Sequence, residues 1–268
     1  MATIIRREAQ RCLRTAVDIN CDLGESYGRY VLGRDDEVIR WITSANVACG
    51  FHAGDPHVMR RTVELARMHG VAVGAHPGLP DLAGFGRRRM AVSPSELRDY
   101  FTYQIGALRA FAEAAGLRLQ HVKMHGALCE MALADRALAD AMAAATREAD
   151  PELIWLCPAG PAASAAREQG LRVAEEFYAD RAYHADLRLV SRRLPGAVLA
   201  DLSAIEQRLR GVLTAGTVET VDGSRVPLVF QSICVHGDTP GAAEIARRIR
   251  QTAEGAGVAV RPLAVLAG

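Results

Sequence analysis

The chain has 268 residues, half of them apolar and 24% charged, with 32 basic and 31 acidic residues for a formal net charge of +1. That length and balance describe a folded chain of the size one βα barrel occupies and exclude a disordered one. The even charge and an aromatic content of only 5% argue against nucleic-acid or anionic-membrane partners, and no apolar run reaches the roughly 18 residues of a membrane span.

The first residues carry arginines early and no continuous apolar segment, so 1–16 read as an amino-terminal extension rather than a secretory signal. Residues 17–268 read as a single βα-barrel catalytic domain. Six scattered cysteines without a Cys-x-x-Cys pair suggest reduced, buried thiols and a cytoplasmic protein.

The strand pattern recurs seven times, at Val17–Cys21, Ala45–Cys49, Val71–Ala75, Gln120–Met124, Ile154–Cys157, Val173–Phe177 and Val229–Val235. Each run is short and dominated by apolar or small residues, as in strands buried on both faces. Helix signals fall between them. Asp55 and Pro56 read as N-cap and first helical residue of a helix ending before Gly70. Ser93 and Glu96 have the spacing of a capping box, opening a helix that runs to Gly116. Further helices are expected over Asp135–Ala149, Ala162–Gln169, Ser203–Ala215 and Gly241–Ala256. Regular alternation predicts parallel strands with helical crossovers, hence a closed or nearly closed seven-stranded βα barrel, with an open doubly wound sheet second.

Reactive residues gather at the carboxyl ends of these strands. Asp22 and Glu25 follow the first, His52 and Asp55 the second and His76 the third, while the fourth carries Lys123 and runs into His125. The sixth ends in Glu175 and Glu176, with Asp180 and Arg181 just beyond, and His236 and Asp238 follow the seventh. In a βα barrel such ends share one mouth, where active sites form. Lys123 is the only lysine among the 32 basic residues, which points to a need for a compact ammonium that guanidinium does not imitate. His57, His69, His121 and His184 read as structural or exposed. Asp55 reads equally well as a plain N-cap. Arg87 opens a three-arginine run that suits phosphate as well as solvent. Asp22, His52 and His76 form a His/His/carboxylate set able to hold a metal such as Zn²⁺. Cys49 reads as a small buried thiol. No P-loop is present.

The segments VDINCDLGESYG, TSANVACGFHAGDP, GVAVGAHPGLPDLAGFGRR, VKMHGAL, EEFYADRAY and ICVHGDTPGA occur in this order. Together they resemble the LamB/YcsF or lactam utilization family, the A-subunit family of 5-oxoprolinase, over about Val17 to Pro262. Leu79, Met124 and Cys129 depart from its usual pattern, while the Asp, His and Lys positions match. The resemblance implies a seven-stranded barrel of the glycoside hydrolase/deacetylase type. It also implies ATP-dependent opening of 5-oxo-L-proline (pyroglutamate) to L-glutamate, with Mg²⁺ and ATP as co-substrate and 5-oxoprolinase subunits B and C as partners.

For that chemistry Asp22, Glu25, Lys123 and His125 are the catalytic candidates, Lys123 for phosphate or oxyanion and Asp22 or Glu25 as base. His52, Asp55, His76, Arg87, His236 and Asp238 are candidates for binding substrate or phosphate. Two alternatives stand beside it: a metal-dependent amide or N-acetyl hydrolase on the same barrel, and a non-catalytic subunit that delivers substrate.

Overall fold

The computed structural model describes residues 15–267 apart from 193 and 200. Residues 1–14, most of the expected extension and with it Cys12, lie outside the described residues. The strands are β1 (Ala16–Leu23), β2 (Ser44–Ala48), β3 (Ala72–His76), β4 (Leu119–Lys123), β5 (Ile154–Cys157), β6 (Arg172–Tyr178), β7 (Thr217–Glu219), β8 (Arg225–Pro227), β9 (Ser232–Val235) and β10 (Ala259–Val260). Seven of them close a parallel barrel in the order β1, β2, β3, β4, β5, β6, β9 and back to β1. The closing pair sets Asp18 beside Ser232 and Cys21 beside Val235. β10 adds to the start of β1, and β7 and β8 form a separate antiparallel hairpin.

Local chemistry explains the helices. Asp55 accepts from the backbone N–H groups of His57 and Val58, Pro56 follows, and Gly70 ends the helix at φ 64°. Ser93 and Glu96 complete the expected capping box of helix Pro94–Ala114. That helix buries Leu97, Phe101, Ile105 and Leu108, a stripe at helical spacing. Phe101 stacks on Trp155 with ring centroids 6.2 Å apart. Burial of each such side chain contributes roughly 1.5–3 kcal/mol.

The strands depart from the expected apolar-on-both-faces pattern. Ile19, Val47, Val122 and Ile233 belong to the core shared with the helices. Alternating with them, Asp18, Asn20, Asn46, His121, Glu176 and Ser232 are all buried and polar. Parity therefore directs a hydrogen-bonded polar column down the barrel axis. Ile154, Leu156 and Ala174 meet Leu263 of the carboxy-terminal 3-10 turn in a separate apolar cluster. The seventh strand begins at Ser232 rather than Val229, which is 61% exposed. Helix Ala127–Ala134, the β7–β8 hairpin and β10 had no counterpart among the elements expected from sequence. No described helix is long and apolar enough to cross a membrane.

Candidate functional site

The polar column rises from Asp18 to the mouth. Asp18 Oδ1 accepts from the hydroxyls of Thr43 and Ser44, both at 2.7 Å, and Oδ2 from Ser232. Asn20 donates to Ser232 Oγ at 2.7 Å and accepts from Asn46 at 2.8 Å. His121 Nε2 donates to Asn46 Oδ1 at 2.7 Å. Burial pushes the His121 imidazole pKa down to about 3, so the ring is neutral.

Above this layer sits the only lysine. Lys123 Nζ lies 3.0 Å from Asn20 Oδ1, Asp22 Oδ1 and Cys234 Sγ, and 3.3 Å from Glu176 Oε2. Its three N–H donors are thus spent on four inward acceptors. The ammonium here balances the charge of its carboxylate neighbours Asp22 and Glu176. Burial opposes ionisation of both Lys123 and Asp22. Their mutual attraction overrides it, holding the ammonium pKa well above and the carboxyl pKa well below the usual ranges. Asn46 also donates to Asp22 Oδ1 at 2.8 Å. Tyr178 Oη donates to Glu176 Oε1.

One side of the mouth is a histidine cluster. His76 stands at the end of β3, inside the strand rather than beyond it. Its Nδ1 meets the Lys123 carbonyl at 2.8 Å, and its Nε2 meets His125 Nδ1 at 3.0 Å. His125 Nε2 meets the Phe85 carbonyl at 2.8 Å. His52 stacks on His125 with ring centroids 3.7 Å apart. Glu25 Oε1 lies 3.5 Å from His52 Nε2 and 3.7 Å from His125 Nδ1. Burial, then the neighbouring Asp22 and Asp238, push the Glu25 carboxyl pKa well up. Burial and the other rings push the His52 and His125 pKa values down. The metal set inferred from sequence is therefore regrouped. His52 and His76 gather with Glu25 and His125, while Asp22 turns to Lys123 and keeps His76 Nε2 at 3.5 Å.

Glycine makes this crowding achievable. A Cβ on Gly78 would fall 2.3 Å from His52 Nδ1, and one on Gly237 would fall 2.1 Å from the Asp22 carbonyl oxygen. The loop carrying Phe85, at φ 55°, covers the cluster.

Across the mouth, His236 Nδ1 meets Asp180 Oδ2 at 2.9 Å, with both residues buried. Asp180 accepts, so its partner nitrogen is protonated. A His236 nitrogen, Cys234 Sγ and an Asp22 oxygen lie within 4.8 Å of one another.

Arg87 spans the rim to Asp238 at 2.6 Å, with its guanidinium over the Phe85 ring. Arg88 instead pairs with Asp81. Asp55 stays outside both groups. Its Oδ1 caps the helix and its Oδ2 accepts from Gly28 N at 2.8 Å. Leu79 and Met124 are buried in the apolar core and Cys129 packs against it. Burial pushes the Cys49 thiol up to about 12, and Sγ donates to the Val47 carbonyl, so this cysteine is inert. Asn20, Asn46 and Cys234 join the site without having been named among its strand-end residues, and Glu176 and Asp180, named there, had been given no role. Alternation of polar with apolar residues along β1 and β2 is the signal that marks Asn20 and Asn46.

The chain has close counterparts among known proteins. A lactam utilization protein of Thermus thermophilus superimposes with a TM-score of 0.87 at 46% identity, covering 92% of this chain and 99% of that one. The 5-oxoprolinase A-subunit of Pyrococcus furiosus is 52% identical over 248 residues, 92% of this chain and 97% of its own length. That of Bordetella pertussis is 49% identical over 250 residues, covering 93% and 99% respectively. The LamB/YcsF family model matches residues 17–268, the span that carries the barrel and both halves of its mouth. The chain belongs to the LamB/YcsF family.

Proposed function

We propose that the chain is the lactam-opening subunit of an ATP-dependent 5-oxoprolinase, acting on 5-oxo-L-proline with ATP and Mg²⁺ and with partner subunits B and C. The names borne by its relatives suggest the substrate and the existence of partners. The observation that carries the reading is the buried, ionised Asp22 beside the His236–Asp180 couple, with donor atoms of Asp22 and His236 within 4.8 Å of each other.

A lactam carbonyl is a poor electrophile because the ring nitrogen donates into it. Attack of its oxygen on the γ-phosphorus of ATP releases ADP and removes that resonance. Water then adds to the activated carbon, giving its proton to a base. The ring nitrogen takes a proton, and the C–N bond breaks to leave γ-glutamyl phosphate. A second water yields L-glutamate and phosphate. Asp22 and His236 are the groups assigned to these proton movements. Asp180 positions His236. Lys123 keeps Asp22 ionised and in place. Arg87 offers a guanidinium for phosphate once released from Asp238.

The test mixes the chain with subunits B and C, 5-oxo-L-proline, Mg²⁺ and ATP, and measures glutamate and ADP together. Matched release that requires this chain supports the reading. Glutamate without ADP moves it to metal-dependent amide hydrolysis, which the Glu25–His cluster favours. Full turnover by a complex carrying Asp22→Ala moves it to a delivery subunit.

A further inference from the structure

Hydrogen bonding fixes the tautomers of two histidines. A carbonyl oxygen only accepts, so His76 Nδ1, at 2.8 Å from the Lys123 carbonyl, must be the protonated nitrogen. By the same reasoning His125 Nε2, at 2.8 Å from the Phe85 carbonyl, must be protonated. With one proton on each ring, the remaining nitrogens, His76 Nε2 and His125 Nδ1, are both bare lone pairs. They face each other at 3.0 Å. Two lone pairs at that distance repel unless a cation lies between or beside them.

The surroundings add further side chains able to ligate a metal. Glu25 Oε1 and both ring nitrogens of His52 are buried and have no hydrogen-bond partner. Glu25 Oε1 is 3.5 Å from His52 Nε2 and 3.7 Å from His125 Nδ1. One donor atom from each of Glu25, His52, His76 and His125 lies within 4.8 Å of the others. Ligands at the usual 2.0–2.1 Å from Zn²⁺ in a tetrahedron stand about 3.3 Å apart. The observed 3.0, 3.5 and 3.7 Å bracket that value. The backbone carbonyls that orient His76 and His125 are the outer partners that metal-bound histidines ordinarily have.

The other half of the mouth differs. Asp22 and Cys234 also lie close to His236, but Lys123 Nζ sits 3.0 Å from both Asp22 Oδ1 and Cys234 Sγ. That half is supplied with its own cation. The histidine half has no lysine or arginine paired with it among the described residues. We infer that Glu25, His52, His76 and His125, and not Asp22, form a binding site for one divalent transition-metal ion of the zinc class. The inference is independent of lactam chemistry, because binding is read without turnover.

The experiment uses the untagged full chain, stripped with chelator and titrated with Zn²⁺ by calorimetry and with Co²⁺ by visible absorption. One equivalent of Zn²⁺ and a Co²⁺ spectrum of low-symmetry nitrogen/oxygen coordination are expected. Zn²⁺ should also raise the melting temperature. Glu25→Gln and His125→Gln should each weaken Zn²⁺ binding by at least about 10–100-fold, the loss typical even of outer partners. Asp22→Asn and Cys234→Ser should keep it. Should either ligand variant fail to fold by circular dichroism, stoichiometry and the Co²⁺ spectrum of the parent chain still decide. Absence of stoichiometric binding by the parent overturns the site and leaves a shared proton as the cation between His76 and His125. Binding lost in Asp22→Asn but kept in Glu25→Gln overturns the assignment of its ligands.

Discussion

Lys123 Nζ and Asp22 Oδ1 lie 3.0 Å apart at the top of a closed barrel, and neither side chain is more than 8% exposed. Glu176 shares the same ammonium. Removing one partner of such a group leaves uncompensated charge out of water, at roughly 3–5 kcal/mol. Lys123→Met should therefore destabilise the fold by about that much in denaturant unfolding. Adding Asp22→Asn should recover part of the loss, because it removes one of the stranded charges. Lys123→Arg should not substitute, since the pocket's four acceptors surround a compact ammonium. A Lys123→Met chain as stable as the parent contradicts this account.

The His236–Asp180 couple gives a kinetic prediction. Asp180→Asn replaces a carboxylate that only accepts with an amide that can also donate, so it no longer fixes which His236 nitrogen is protonated. Lactam turnover by the reconstituted complex should fall by at least about 10²-fold, in kcat more than KM. The double variant with His236→Ala should be no worse than His236→Ala alone, because the two act as one unit. Additive losses would show that Asp180 acts elsewhere.

Local signals in the sequence transferred to the structure with little change. Asp55, Pro56 and Gly70 bound their helix, and Ser93 and Glu96 cap theirs, because each signal acts within a few residues. The seven barrel strands were legible for the same reason. The site was legible as a set of strand ends but not as pairs. Asn20 meets Ser232 across 212 positions, and Lys123 meets Cys234 across 111; nothing in either neighbourhood specifies the other. Asp22 was grouped with His52 and His76 because all three end adjacent strands. It instead joins Lys123 because opposite charges buried together cost less than separate ones. Helix Ala127–Ala134 was missed because it is apolar nearly throughout and lacks a side-chain cap.

Arg87 separates binding from stability. Its pair with Asp238 is 37% exposed on the arginine side, so Arg87→Ala should cost no more than about 1 kcal/mol in thermal or denaturant unfolding. If the guanidinium serves phosphate, the same variant should raise KM for ATP or lower kcat in the reconstituted complex. Unchanged kinetics with unchanged stability would leave Arg87 as a rim contact only.

Gly74 tests the packing of the column. A Cβ there would lie 2.2 Å from His121 Nε2, and His121 is held at 2.7 Å to Asn46 inside the barrel. The ring has no exposed side to retreat to. Gly74→Ala should destabilise by roughly 1–3 kcal/mol or more, as overpacking does. Gly74→Ala combined with His121→Ala should be less destabilised than the two single losses added together. A tolerated Gly74→Ala would mean that the column can shift.

Asp18 provides the pH prediction. Burial raises its carboxyl pKa from 3.8 to about 6, against the three hydroxyls that donate to it. The folded protein therefore binds this proton more tightly than the unfolded chain does. Between about pH 4 and 6 the unfolded state has already lost the proton that the folded state still holds, so this group's contribution to stability declines as pH rises through that window. Above about pH 6 the decline is complete, and below about pH 4 it is absent. The full span corresponds to about 3 kcal/mol. Asp18→Asn removes the titration and keeps a side chain of the same shape among hydroxyls that can reorient. Unfolding free energies of parent and variant, measured from pH 4 to 8, should therefore diverge in the variant's favour up to about pH 6 and then run parallel. A difference that stays flat from pH 4 to 6 would place the Asp18 pKa in its ordinary range, with the Ser232, Ser44 and Thr43 hydroxyls fully offsetting its burial.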